Sequence, residues 1–333
     1  MNNKFLYIIL IILLGQARSG ISQDPQFSQF YSSPLYMGPS FAGLGDGGRV
    51  IINYRDQWPK ISGTYITYAI SGDYYIDRYK SGIGLLILRD DAGNGLFNIT
   101  NAGLNYSYNF NIYPEWQIRP GLQAYYYMKN IHYDRLKFGD EILRGTGTGS
   151  SMEMSRLQLA EPTRHFDFTG SVLAYSESLW LGITVDHLMY FSEILARDGD
   201  YMPVRLSVYG GGRYNISGKT RKRYEENITG TFNLLMQDKC RYLDLGAYYT
   251  KEPVVFGLWY RGLNIFPDNP NTGALALLLG LKLDSISVGY SYDFTTSSLI
   301  TRTGGAHEVS LIYTFDDKRR KKTRHKAVPC PSF

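Results

Sequence analysis

The sequence predicts an all-β protein, a transmembrane antiparallel β-barrel of about 14 strands, and three observations carry that prediction. Apolar and polar residues alternate with a period of two through most of the 333-residue chain, the spacing of a strand with two unlike faces. Tyrosine, at 29 residues, outnumbers the 16 phenylalanines and 4 tryptophans together, which suits rings that sit half in lipid and half in water. Beyond the N-terminus no stretch of about 18 apolar residues occurs, so any membrane crossing falls to strands.

Taken in order, residues 1–22 read as a signal peptide. Lys4 supplies a positive end, residues 5–14 form an apolar run too short for a spanning helix, and Gly20-Ile21-Ser22 offers a small-x-small pattern with cleavage after Ser22. No cysteine follows to accept a lipid anchor. Residues 23–48 are rich in aromatic residues, Gly and Pro. They are expected to fold back as a plug in the lumen or to lie against the inner rim, with Phe27, Phe30, Tyr31, Tyr36 and Phe41 as the candidate plug side chains. The barrel is expected over 49–315, followed by a basic periplasmic tail over 316–333.

Within the barrel, strands are expected at 49–57, 63–71, 81–90, 96–110, 116–129, 165–175, 179–187, 202–214, 227–237, 241–250, 253–262, 273–283, 285–295 and 306–315. Ile286, Val288, Tyr290, Tyr292 and Phe294 alternate with Ser287, Gly289, Ser291 and Asp293; Ala102, Leu104, Tyr106, Tyr108 and Phe110 alternate with Gly103, Asn105, Ser107 and Asn109. A soluble sandwich also alternates in this way. The choice turns on strand length, close to the roughly ten residues a tilted membrane strand needs, and on apolar faces that end in Tyr, Phe or Trp. With both termini in the periplasm, the links at Tyr113-Pro114, Glu177, Lys251-Glu252 and Asp284 are short inner turns, whereas 130–164 and 189–201 point outward. The inner turn 216–226 is longer than that rule expects.

Charge sharpens the picture. Seven basic residues of the tail, Lys318, Arg319, Arg320, Lys321, Lys322, Arg324 and Lys326, stand against Asp316 and Asp317 and account for the whole net charge of +5. With Arg221, Lys222 and Arg223 of the long inner turn they make one face basic: either a solvated run or a docking site for an acidic partner. Basicity confined to the tail of an exported chain gives no reason to expect a nucleic-acid partner. Arg55, Arg119, Arg205, Asp186, Asp244, Arg261 and Glu308 fall on or near the polar faces of their strands. An Arg facing lipid at the midplane costs about 2–4 kcal/mol, so these side chains belong in the lumen, where they line a pore, hold a plug or pair with one another, mutual pairing being the default.

Motifs that carry chemistry are weak. Gly145-Thr146-Gly147-Thr148-Gly149-Ser150-Ser151 lacks the lysine and helix of a phosphate loop and reads as an outer-loop linker. Asp90-Asp91-Ala92-Gly93-Asn94-Gly95 reads as a hairpin end in preference to a calcium loop. His132, His165, His187, His307 and His325 are scattered, and Asp186 and His187, adjacent on one strand, are expected to leave opposite faces. No nucleophile, base and orienting group gather at one rim, so no enzyme, cofactor or metal site is expected. Cys240 falls on an outer turn and Cys330 in the tail, which leaves Cys330 either idle or available to another chain.

The segment Asp24-Pro25-Gln26-Phe27-Ser28-Gln29-Phe30-Tyr31, with Pro34-Leu35-Tyr36, Pro39-Ser40-Phe41-Ala42-Gly43 and Tyr54-Arg55-Asp56-Gln57-Trp58-Pro59, resembles the opening of the PorP/SprF family of Bacteroidetes. The resemblance runs on through 82–88, Asp91-Ala92-Gly93, 101–108 and the closing strand, and departs at Gly38-Pro39-Ser40, where the family commonly has Asn-Pro-Ala. It implies a non-enzymatic outer-membrane component of the type IX secretion and gliding machinery, without a cofactor. The partners it implies are the C-terminal domain of a secreted adhesin or other cargo, a periplasmic secretion-ring component or peptidoglycan-binding lipoprotein, and outer-membrane lipid. The competing reading is a general solute channel, which the polar, Gly-rich inner face permits.

Overall fold

Alternating side chains select extended backbone, and in a computed structural model that backbone forms one closed antiparallel sheet; the residues described are 24–45, 47–61, 63–93, 95–112, 115–132, 162–189, 203–216, 226–238, 240–263, 273–296 and 303–315. The strands are β1 (Gly48–Gln57), β2 (Tyr65–Ile76), β3 (Ser81–Ala92), β4 (Phe97–Tyr108), β5 (Phe110–Asn111), β6 (Gln117–Ile131), β7 (Thr163–Tyr175), β8 (Leu179–Asp186), β9 (Arg205–Asn215), β10 (Glu226–Gln237), β11 (Cys240–Lys251), β12 (Val254–Leu263), β13 (Ala274–Leu283), β14 (Ile286–Thr295) and β15 (Ala306–Phe315). The Asn109 N–H donates to Lys80 O at 2.8 Å, in register with the β3–β4 pairing, and β5 merely continues β4 along β6. The wall therefore has 14 staves, each paired with its sequence neighbour, and β1 pairs with β15 from Gly48↔Phe315 to Gln57↔Ala306 to close it.

The polarity of the two faces is inverted relative to a soluble protein. Ile52, Ile70, Leu85, Leu104, Leu277 and Leu279 are exposed on the outside, while Asn53, Ser107, Ser291, Glu308 and Ser310 are buried within. Exposed rings flank the aliphatic band: Tyr68, Tyr126, Phe166 and Phe294 toward one end, Phe110, Tyr214, Tyr313 and Phe315 toward the other. An exterior of this kind is stable against hydrocarbon with interfacial rings at each margin, and closure satisfies every strand edge.

Connections sort by end. The links at Asp77–Tyr79, 176–178, 252–253 and 284–285 lie at the end where β1 begins, and the strand ends that precede and follow 132–162, 187–204 and 264–273 lie at the other. Gly93 and Gly95 both have positive φ (65° and 77°), as the tight β3–β4 hairpin requires. β2 runs five residues beyond its expected end at Ser71, because Gly72-Asp73 is not a turn: Asp73 faces the lumen and accepts Arg49 Nε at 2.6 Å.

The lumen is occupied. Residues 24–45 run through it as three short helical turns, Phe30–Ser32, Pro34–Met37 and Pro39–Phe41, and Pro34 and Pro39 open their turns where no N–H is needed. The segment starts beside His187 and Gln237 at the long-loop end and descends to Gly43 beside Asp73 at the short-turn end, where the chain enters β1. Its rings complete an aromatic core with the wall, in which Tyr31 and Phe41 pack among Trp180, Tyr209, Tyr248 and Trp259. Each ring buried there contributes on the order of 1.5–3 kcal/mol.

Candidate functional site

The interface between the luminal segment and the wall concentrates the buried polar chemistry of the described residues, in three tiers. At the outer tier, Asp24 Oδ2 lies 3.0 Å from His187 Nε2 and 3.2 Å from Arg205 Nη1, and it accepts Gln237 Nε2 at 3.2 Å. His187 Nδ1 lies 2.8 Å from Asp167 Oδ2, so a carboxylate faces each ring nitrogen, and Arg205 Nε donates to Asp186 at 2.9 Å. Burial pushes the His187 imidazole down, but the Asp24 and Asp167 carboxylates outweigh it and hold its pKa up at about 10. Burial likewise raises Asp24, and the His187 and Arg205 charges overcome it and leave the carboxyl well below its usual range.

His187 was expected on strand 179–187, facing away from Asp186. The structure corrects this. β8 stops at Asp186, and His187 takes a left-handed φ of 60°, which breaks the alternation and returns its ring to the lumen.

The middle tier straddles the closing seam. Glu308 accepts the backbone N–H groups of Ser28 and Gln29 at 2.7 and 3.0 Å, and the Gln29 side chain donates to Glu308 O at 3.1 Å. Arg55 donates to Glu308 at 3.0 Å and to Asp293 at 2.8 Å; Arg261 reaches the same Asp293 oxygen at 2.9 Å. Ser28 Oγ donates to Asp293 and accepts from both guanidinium groups. Two cations, two carboxylates and the segment's backbone thus form one neutral cluster.

At the inner tier the backbones themselves meet. Arg119 Nη2 donates to Ala42 O at 2.5 Å, Ser107 Oγ to the same oxygen at 2.8 Å, and Ser40 N to Ser171 Oγ at 2.8 Å. A Cβ at Gly82 would collide with the Ala42 carbonyl, and one at Gly121 with the Ser40 backbone, so glycine is required at both. Gly43 donates to Asp73 at 2.6 Å.

All five candidate plug residues lie on this interface. Phe27 packs edge-on against Tyr36 at 5.4 Å, Phe30 against Trp259 at 5.0 Å, Tyr31 against Trp180 at 5.9 Å, and Phe41 against Tyr209 at 5.5 Å. Arg55, Arg119, Arg205, Asp186, Asp244, Arg261 and Glu308 are all buried inside the barrel. Their pairing is only partly mutual, since Arg119 is spent on carbonyls of the segment and Asp244 accepts Gly262 N at 2.7 Å. Arg221, Lys222, Arg223, Lys318, Arg319, Arg320, Lys321, Lys322, Arg324, Lys326 and Cys330 lie outside the described residues, as does the Gly-rich run 145–151. Sequence reasoning did not single out Asp24, Ser28, Gln29, Asp167 and Asp293. Asp293, an acid on the polar face of an otherwise small-residue strand, carried a usable signal.

This interface holds a segment against the wall. Among the described residues, its His–Asp pairing has both ring nitrogens of His187 committed to carboxylates.

A family model described as type IX secretion system membrane protein PorP/SprF matches residues 19–313. No curated protein matches the chain by sequence. Among solved structures, the outer membrane protein Omp33 of Acinetobacter baumannii is similar at 7% identity and a TM-score of 0.44, over 81% of this chain and 100% of that one. The toluene transporter TodX of P. putida is similar at 8% identity and a TM-score of 0.43, over 83% and 92%.

Proposed function

Because the chain belongs to the PorP/SprF family of type IX secretion system membrane proteins and is an outer-membrane barrel of that machinery, we propose that it works as a plugged, non-enzymatic scaffold. In this reading the barrel holds a secreted surface protein at its long-loop end. Its basic inner face, built from Arg221, Lys222, Arg223 and the tail from Lys318 to Lys326, engages a periplasmic component of the secretion complex. The observation that carries the proposal is the occupied lumen: residues 24–45 are tied to β1, β2, β6, β7, β9, β14 and β15 by buried hydrogen bonds, which argues against a free aqueous path. A scaffold needs a rigid body between two faces, and a filled barrel supplies one.

Two measurements test it. In planar bilayers the purified full-length protein should show no large, steady openings; porin-like conductance would sink the scaffold reading in favour of a solute channel. Deleting the basic tail should reduce recovery of periplasmic partners in crosslinked pull-downs while leaving the barrel folded. Unchanged recovery would remove the inner docking face from the proposal.

A further inference from the structure

Above the luminal segment, at the long-loop end, lies a cavity of about 670 Å3. The segment's first residues, Arg55, Arg261 and Asp293 bound it below; Trp58, Tyr65, Phe97 and Tyr242 contribute rings to its walls, and Asp90 faces it from β3. Its charges do not balance. Arg55 and Arg261 have their terminal nitrogens committed to Asp293, Glu308, Ser28, Gln57 and Gln26, and those two cations cancel the carboxylates of Asp293 and Glu308. The Nε atoms of both arginines lack a partner, but they belong to groups already neutralised.

Asp90 is left over. It is buried, and among the described residues it accepts one hydrogen bond, from Thr67 Oγ1 at 2.6 Å, and forms no ion pair. Asp293 is not available in the same way, because its Oδ2 serves Arg55, Arg261 and Ser28 and its Oδ1 is sealed from the cavity. Burying an uncompensated carboxylate is expensive unless a donor arrives. Trp58 is also held in the left-handed region, at φ 63°, with its N–H donating to Gly305 O at 2.8 Å. A bulky residue keeps such a conformation only when its surroundings impose it.

We propose that this cavity binds an organic cation: an ammonium or guanidinium group whose N–H donors reach the Asp90 carboxylate while its charge sits among the aromatic faces. An aromatic wall attracts a partly desolvated cation, and a charged N–H donor makes a strong hydrogen bond to a carboxylate. A hard metal ion fits less well, since it needs a shell of several oxygens and the described residues gather no cluster of three His, Cys, Asp or Glu ligands. The chemistry is shared by two sources, a Lys or Arg side chain presented by a polypeptide and a free diamine. The site stands on its own residues whichever secretion partner the barrel serves.

The test uses the full-length barrel in detergent micelles at low ionic strength, reading tryptophan fluorescence of the wild type against Trp58→Phe. Probes are cadaverine, Nα-acetyl-lysine methylamide, Nα-acetyl-arginine methylamide and the Nε-acetylated lysine analogue. Saturable responses are expected with the charged probes, at least tenfold weaker with the Nε-acetylated analogue, and at least tenfold weaker for Asp90→Asn with lysine methylamide. Cadaverine binding more tightly than the amino-acid probes assigns the site to free amines; the reverse order assigns it to side chains. Equal binding of lysine and its acetylated analogue, the absence of saturation, or a folded Asp90→Asn variant with wild-type affinity overturns the proposal. If Asp90→Asn does not fold, the acetylation comparison on the wild-type protein decides alone.

Discussion

Arg55 on β1 and Glu308 on β15 are direct partners across the seam that closes the barrel, with Arg55 Nη1 donating to Glu308 Oε2 at 3.0 Å. The same carboxylate accepts two backbone N–H groups of the luminal segment, so one side chain joins the first strand, the last strand and the filling. Glu308→Ala leaves two buried guanidinium groups to share Asp293 and strands two amide donors at once. Breaking a buried pair by removing one partner costs about 3–5 kcal/mol. Urea unfolding in lipid vesicles should show a loss of that size, and a wild-type midpoint would contradict the tier described above.

His187 makes the outer tier depend on pH. Its pKa rises from 6.5 to about 10 in the folded protein, chiefly because the Asp24 and Asp167 carboxylates outweigh the effect of burial. A raised pKa means the folded state binds the proton more tightly, so this contribution is complete below about pH 6.5 and fades as pH climbs through about 10. The melting temperature of the wild type in micelles should exceed that of His187→Gln at pH 6, and the gap should close by pH 10.5. A gap that stays constant across this range would show that the imidazole is not charged in the fold.

Gly121 faces the Ser40 backbone with no room for a side chain. Gly121→Val should therefore expel the segment's inner turn while leaving the outward face of β6 unaltered. The expected result is a folded barrel with faster proteolysis near residues 38–45 and measurable ion conductance. If the variant remains as protease-resistant and as silent as the wild type, the backbone contact is not what seats the segment.

Leu104, on the outer face of β4, is 69% exposed. With lipid as its surroundings, Leu104→Arg should cost about 2–4 kcal/mol of folding free energy in vesicles. The paired substitution Ser107→Ala, on the inward face, should instead act through the lost bonds to Ala42 and Arg119. A neutral Leu104→Arg would mean that this face does not meet hydrocarbon.

The wall was legible because its rule is local. Ser287, Gly289, Ser291 and Asp293 alternate with larger apolar residues, and β14 follows from that pattern without any knowledge of its neighbours. Arg55 and Glu308 gave the direction of the lumen, since neither tolerates lipid. The filling was legible only as a composition. Phe27, Phe30, Tyr31, Tyr36 and Phe41 require burial, but the rings that receive them, Trp180, Tyr209 and Trp259, sit on distant strands with no sequence relation to the segment. The contact of Asp24 with His187 lay further out of reach, because it depends on one backbone angle that breaks the period-two rule at the end of β8.

The bonds from Ser28 and Gln29 to Glu308 reach from near the beginning of the folded chain to its final stave. They cannot form until that stave arrives, so seating the filling and fastening the last stave draw on the same carboxylate, and emptying the lumen means giving up bonds made at the wall's own last stitch.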